Sequence, residues 1–212
     1  MSYYIRGKTI AETWNRLLNV IWYSGEDIKS QRGKTKEMLN LMCEVANPAD
    51  RSIKGFPMGE EELKAYAKQL LSKDRSGFEY TYGERLRAWG SDILDKPVDQ
   101  LDAIAKTLKR SRGTRRATAV TWIPPIDSKK EEVPCLILAD FKVRDGKLNL
   151  TAVFRSNDMY GAWPANMYGL NKVNNFVAKK VGVKAGAITT LSISAHVYEH
   201  DYGNVKKALR IQ

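Results

Sequence analysis

The chain has 212 residues, 43% of them hydrophobic, enough for one sizeable core and a single domain over 1–212. Lys and Arg number 35 against 24 Asp and Glu, a net charge of +11 that favours an anionic partner, either a phosphorylated small molecule or a nucleic acid. No apolar run approaches the ~20 residues of a membrane helix. The N-terminal Met1-Ser2-Tyr3-Tyr4-Ile5-Arg6 holds no signal-peptide core, and Cys43 and Cys135 make no disulfide framework, so a reduced cytoplasmic setting is expected, with no membrane partner.

In chain order, Ile10, Trp14, Leu17, Leu18 and Ile21 recur at helical spacing and predict an amphipathic helix over 8–23. The polar stretch 24–36 reads as a loop, and the apolar segment 38–45 is of either type. Asn47-Pro48 signals a turn. A helix is expected over 60–71, with Leu63, Tyr66, Ala67 and Leu70 on one face. Asp95 and Pro97 read as the start of the next, whose stripe is Val98, Leu101, Ile104, Ala105 and Leu108. The period then changes. Stretches 116–123, 134–141 and 147–155 read as strands, with Asp145-Gly146 as the hairpin turn between the last two. Stretch 166–181 returns to helical spacing through Met167, Leu170, Val173 and Val177, and 187–198 is a final strand. In that strand Leu191, Ile193, Ala195 and Val197 are expected to face a core, and Ser192, Ser194, His196 and Tyr198 a ligand site or water. The order of elements predicts an α+β fold, a mixed sheet covered by helices.

The chemistry gathers in the second half. Cys135 follows Pro134 and opens the apolar run Leu136-Ile137-Leu138. With the turn centred at Asp145-Gly146, Cys135 and Arg155 fall opposite each other across the hairpin. A guanidinium there is expected to lower the thiol pKa and leave a usable thiolate. Arg115 and Arg116, in a basic loop leading into a strand, offer forked donors for one phosphate. Asn166 carries a donor and an acceptor able to read the edge of a pyrimidine ring. His196 and His200, four apart on a strand without Cys or Glu support, do not make a zinc site. No glycine-rich phosphate loop and no nucleophile elbow is present.

Taken together, these residues resemble the thymidylate synthase family, with motifs in family order from about residue 80 to 200. They are Tyr82-Gly83 with Arg87-Ala88-Trp89, Asp99-Gln100-Leu101, Thr114-Arg115-Arg116 with Thr121-Trp122, Pro134-Cys135, Arg155-Ser156 with Asp158, Pro164 with Asn166, and His196-Val197-Tyr198. The resemblance implies a thymidylate synthase-like fold and a thiolate, Cys135, that attacks C6 of the uracil of dUMP. A one-carbon unit would come from methylene-tetrahydrofolate or a methylene-tetrahydromethanopterin-type donor, without a metal. It further implies that Arg155, Ser156, Arg115 and Arg116 bind the phosphate, the last two reaching in from the partner of a homodimer. His196 and Tyr198 would hold the sugar, Asn166 the base and Asp158 the pterin, and Tyr82 would assist proton removal at C5. Glu62 is the preferred catalytic Glu and Arg51 the loop phosphate ligand. The chain departs from the family pattern at Leu136, where His is usual, and ends about a dozen residues after His200, so the usual C-terminal lid is expected to be missing. Two alternatives remain: a pyrimidine nucleotide hydroxymethylase of the same superfamily, in which water ends the reaction, and a non-catalytic basic nucleic-acid-binding protein. The enzyme readings need no nucleic acid as partner.

Overall fold

The computed structural model describes residues 3–49, 55–75 and 77–211. The elements are β1 (Tyr3–Gly7), α1 (Ile10–Ser24), β2 (Glu26–Ser30), β3 (Gly33–Val45), α2 (Glu60–Gln69), α3 (Tyr82–Arg87), α4 (Gln100–Arg110), β4 (Thr118–Val120), α5 (Pro124–Asp127), β5 (Leu136–Arg144), β6 (Lys147–Asp158), α6 (Trp163–Val181), β7 (Lys184–Tyr198) and α7 (Tyr202–Leu209), with a short 3₁₀ turn, Glu199–Asp201, before α7. The fold is α+β, as expected. One mixed sheet has the order β1-β3-β7-β6-β5-β4, with β2 paired alongside β3. Strands β6 and β7 are parallel and joined by α6, whereas β5 and β6 form the antiparallel hairpin. Its turn residues, Asp145 and Gly146, have φ of 49° and 71°, the left-handed pair a two-residue hairpin needs.

Helices α1, α4 and α6 pack on one face of the sheet. The row under them runs Ile5, Cys43, Thr190, Ala152, Ala139, Ala119, all buried. Its small side chains let the helices lie close. The adjacent row, Tyr4, Met42, Leu191, Val153, Leu138 and Val120, points to the other face. There Tyr4 is 58% exposed and Val120 41%. This face is uncovered among the described residues.

A line of irregularities crosses the sheet. Leu41, Ser192 and Phe154 pair in one row and are buried, and the next buried residues along their strands are Met38, Ala195 and Asn157. Each is three residues away instead of two, and β5 shifts register beside them, between Leu136 and Leu138. An extra residue per strand reverses the facing of everything beyond it. The expected face assignment of β7 is therefore corrected. Ser192 is buried under the helices, Ile193 is exposed on the bare face, and only Ala195 and Val197 are core residues of the expected set.

Two further expectations change. Stretch 24–36 is not a loop: β2 and the start of β3 form a hairpin there. Every residue of β2 is exposed, and Ile28 is its one apolar residue, so alternation is absent. The helix expected from Asp95 and Pro97 begins later. Asp99 is its N-cap, accepting from the Asp102 N–H, while both carboxylate oxygens of Asp99 accept from Arg87. Val98 instead bridges to Trp89. The helices expected over 8–23, 60–71 and 166–181 and the four strands form within a few residues of the expected limits.

Candidate active site

Cys135 stands just before β5, where the hairpin places it against β6. Its carbonyl accepts from the Arg155 N–H at 2.8 Å. The Arg155 side chain folds back, donating from Nε to Pro134 O at 3.0 Å and from Nη2 to Val133 O at 3.1 Å, with Nη2 3.6 Å from the Cys135 sulfur. The neighbour relation expected from the turn position is thus present. Arg155 also lowers the thiol pKa as expected, but it does not prevail. Burial pushes the Cys135 thiol above its ordinary value, and the guanidiniums of Arg155 and Arg32 only partly offset that. Desolvation disfavours the thiolate more than the cations favour it, since both guanidiniums are largely solvated.

Arg32 was not singled out from the sequence. It sits at the tip of the β2–β3 hairpin, beside Gly33 at φ 109°. Its guanidinium donates to the Glu132 carboxylate and lies close enough to the Tyr198 hydroxyl to oppose the rise that burial gives its pKa. The hairpin so reaches across to the loop that carries Cys135. Reading 24–36 as a loop hid this. Ser30-Gln31-Arg32-Gly33 is a turn sequence, and it was the available signal.

A cavity of about 850 Å³ lies beside the loop that leads to Cys135, lined by Glu62, Tyr66, Phe78, Tyr80, Tyr82 and Glu132 among others. Tyr80 donates to Val133 O at 3.1 Å, and the Tyr82 hydroxyl accepts from the Leu136 N–H at 3.2 Å. Burial raises both phenol pKa values, that of Tyr80 to about 12, so both rings keep their protons at neutral pH. Below them Arg85, 1% exposed, is paired through two nitrogens with the Asp127 carboxylate, at 3.1 and 2.8 Å. Glu62 faces the cavity from the first turn of α2, where its carboxylate accepts from Gly59 N at 2.8 Å. It acts as a helix cap while lining the cavity.

On the far side of the sheet irregularity, Ser156, Asp158, Ser194, His196 and Tyr198 fall on adjacent positions of β6 and β7, with Ser156 paired to Ser194 and Asp158 to His196. Burial lowers the His196 pKa against the opposing pull of Asp158, and burial raises that of Asp158. The Asp158 Oδ1 accepts from Tyr160 N and Gly161 N, at 3.0 and 3.1 Å. A Cβ on Gly161 would stand 2.6 Å from the Asp158 Oδ2, so a side chain there would push the carboxylate aside. His196 and Tyr198 are edge-to-face, with centroids 4.8 Å apart. Asn166, in the first turn of α6 and 5% exposed, donates to Asn157 Oδ1 and accepts from the Tyr66 hydroxyl.

Cys135, Arg155, Ser156, Asp158, Asn166, His196, Tyr198, Tyr82 and Glu62 therefore gather around one end of β5, β6 and β7. Arg115 and Arg116 do not join them. Both are exposed and precede β4, whose Thr118 pairs with Asp140. Along β5 that is several residues from Cys135, roughly 15–25 Å at strand rise. Arg51 lies outside the described residues. Tyr66 and Arg32 are additions to the site. Among the described residues no group of three or more His, Cys, Asp or Glu is placed to hold a metal ion, and no helix is long and apolar enough to cross a membrane.

Comparison with known proteins matches the thymidylate synthase family model to residues 2–212. A protein of Methanosarcina mazei provisionally named thymidylate synthase is 51% identical over 209 residues, covering 97% of this chain and 94% of the relative. One from Methanothermobacter thermautotrophicus with the same provisional name is 42% identical, covering 99% and 100%. A third, from Methanocaldococcus jannaschii, is 36% identical, covering 96% and 94%. A family match across almost the whole length, with relatives 36–51% identical over more than nine-tenths of the chain, establishes that the chain belongs to the thymidylate synthase family.

Proposed function

We propose that the chain is a methyltransferase that converts dUMP to dTMP, with Cys135 as nucleophile and a methylene-tetrahydropterin as donor. The observation that carries the reading is Cys135 in contact with Arg155, on a loop whose Glu132 lines an aromatic cavity, and on the same sheet end as His196, Tyr198 and Asn166.

Arg155 and Arg32 supply cations for the nucleotide phosphate, and charge-assisted contacts of that kind position the ring. Arg32 takes the loop role first considered for Arg51. Ser156 adds a hydroxyl to the phosphate, and the pair His196 and Tyr198 orients the deoxyribose. The Cys135 sulfur adds to C6, forming a C–S bond while the ring electrons move toward O4, and C5 becomes nucleophilic. Protonated Tyr82 and the carboxylate of Glu62 flank the cavity where the C5 proton must leave. When bound, the pterin supplies the one-carbon unit and the hydride that completes the methyl group. The cavity fits a flat bicyclic ring, since four aromatic side chains line it and it adjoins the nucleophile loop. By the family resemblance, the half-buried Asp158 would accept from the pterin's N–H groups.

The active form is a homodimer. The uncovered row from Tyr4 to Val120 is apolar across six strands, a surface that an isolated protein rarely leaves in water. A two-fold contact there gives Arg115 and Arg116, remote from Cys135 in their own chain, a route to the partner's phosphate. The reading is tested by incubating the protein with dUMP and each methylene-tetrahydropterin and identifying the product by mass spectrometry. A methylated product supports it. A hydroxymethylated product assigns the chain to the sister activity, and no product with any donor overturns the proposal.

A further inference from the structure

Behind the base-reading amide lies a polar chain that none of the roles above uses. Gly169 of α6 sits so close to Leu70 that a Cβ there would approach the Leu70 side chain to 2.5 Å. This close approach docks α2 on α6. One helical turn back from Leu70, Tyr66 meets Asn166, which lies one turn back from Gly169. The Tyr66 hydroxyl donates to Asn166 Oδ1 at 2.7 Å, Asn166 Nδ2 donates to Asn157 Oδ1 at 3.2 Å, and Asn157 Nδ2 donates to Ser192 Oγ at 3.2 Å. Asn157 and Ser192 are buried.

We propose that Tyr66 fixes which way the Asn166 amide points, and so sets the preference of the site for uracil over cytosine. The inference rests on the reading of the site as one for a pyrimidine nucleotide. A carboxamide has two lone pairs on oxygen and two protons on nitrogen. Tyr66 and Asn157 use one of each. What remains is one lone pair and one proton, the complement of the uracil N3–H and O4. Cytosine presents a lone pair at N3 and protons at N4, which require the amide reversed. Reversal would set the Asn166 oxygen against Asn157 Oδ1 and its NH₂ against the phenol. Asn157 and Ser192 could follow by turning over, because a hydroxyl both donates and accepts. The Tyr66 hydroxyl could accept from the turned NH₂, but its proton would lose Asn166 Oδ1 as acceptor, so reversal gives up a hydrogen bond that the observed orientation keeps. Desolvation also holds the phenol protonated, so Tyr66 remains a donor across the neutral range. Tyr66 is thus a positioning residue, acting on the base through Asn166.

The test is the ratio of dCMP to dUMP dissociation constants by calorimetry in the full-length protein, for wild type, Tyr66→Phe and Tyr66→Leu. Both variants remove the donor, and two apolar bodies guard against a folding failure in one. The wild type is expected to prefer dUMP, and the ratio to fall about fivefold to tenfold in the variants, the range one neutral hydrogen bond controls. A merely structural role would weaken both nucleotides alike and leave the ratio unchanged. An unchanged ratio with both nucleotides still bound overturns the role of Tyr66 alone, as does a wild type that binds the two equally. A wild type that binds neither nucleotide overturns the pyrimidine-site reading and this proposal with it.

Discussion

At the residue scale the decisive balance is at Cys135. Burial raises its pKa and Arg155 lowers it, with burial prevailing. A raised thiol pKa leaves little thiolate at neutral pH, so iodoacetamide modification of Cys135 should accelerate with pH and level off only above the ordinary thiol value. Arg155→Ala should move the plateau higher still, because it removes the largest lowering influence. A plateau at neutral pH, by peptide mapping, would contradict this balance. Cys43, fully buried and pushed to about 12, should stay unmodified throughout the range. The Cys135–Arg155 neighbour relation was legible in the sequence because a two-residue turn fixes hairpin register. The net pKa was not, because it depends on how the Val133–Cys135 loop is enclosed by Tyr80, Tyr82 and Arg32, which are distant in sequence.

At the element scale the cavity wall depends on the short helices α3 and α5. Their link is the buried Arg85–Asp127 pair, in which Asp127 also accepts from Ile123 N. Asp127→Ala removes the two-point partner of a guanidinium that is 1% exposed and leaves it only the Glu84 carboxylate, at 3.3 Å, as an anionic partner, and should cost about 3 kcal/mol of stability. Chemical denaturation measures it, and a loss below 1 kcal/mol would mean that water or another group replaces the carboxylate. The helices α1, α2 and α6 were readable because each buries one face along its length, and the strands β5 to β7 because apolar residues alternate or run through each of them. The hairpin β2–β3 was not, since exposed strands carry no alternation and only its turn residues mark it. Nor was the reversal of facing in β7, where the pattern Leu191, Ile193, Ala195, Val197 reads as one continuous face. Asn40, with φ of 58°, lies at the irregularity in β3, but an isolated Asn is a weak marker of a bulge.

At the scale of the molecule, one sheet face is packed under helices and, among the described residues, the other is bare. Leu191 and Val153 stand at the centre of the bare apolar row, on the face opposite the helices. Leu191→Lys or Val153→Lys should therefore leave the fold intact and convert a dimer to a monomer in sedimentation velocity, with activity lost alongside. Unchanged sedimentation would remove this face from the account of assembly. Mixing Arg116→Ala with Cys135→Ser subunits should restore activity in the heterodimer, since one of its two sites then has both groups intact. Activity still absent after verified subunit exchange would confine Arg115 and Arg116 to their own chain. The central claim, that Cys135 activates C5 of dUMP, is tested most directly by release of tritium from 5-tritiated dUMP in the presence of a methylene-tetrahydropterin. The account predicts release by the wild-type protein and by Cys43→Ser, and none by Cys135→Ser although that variant still binds dUMP. Wild-type release rates in Cys135→Ser would contradict it.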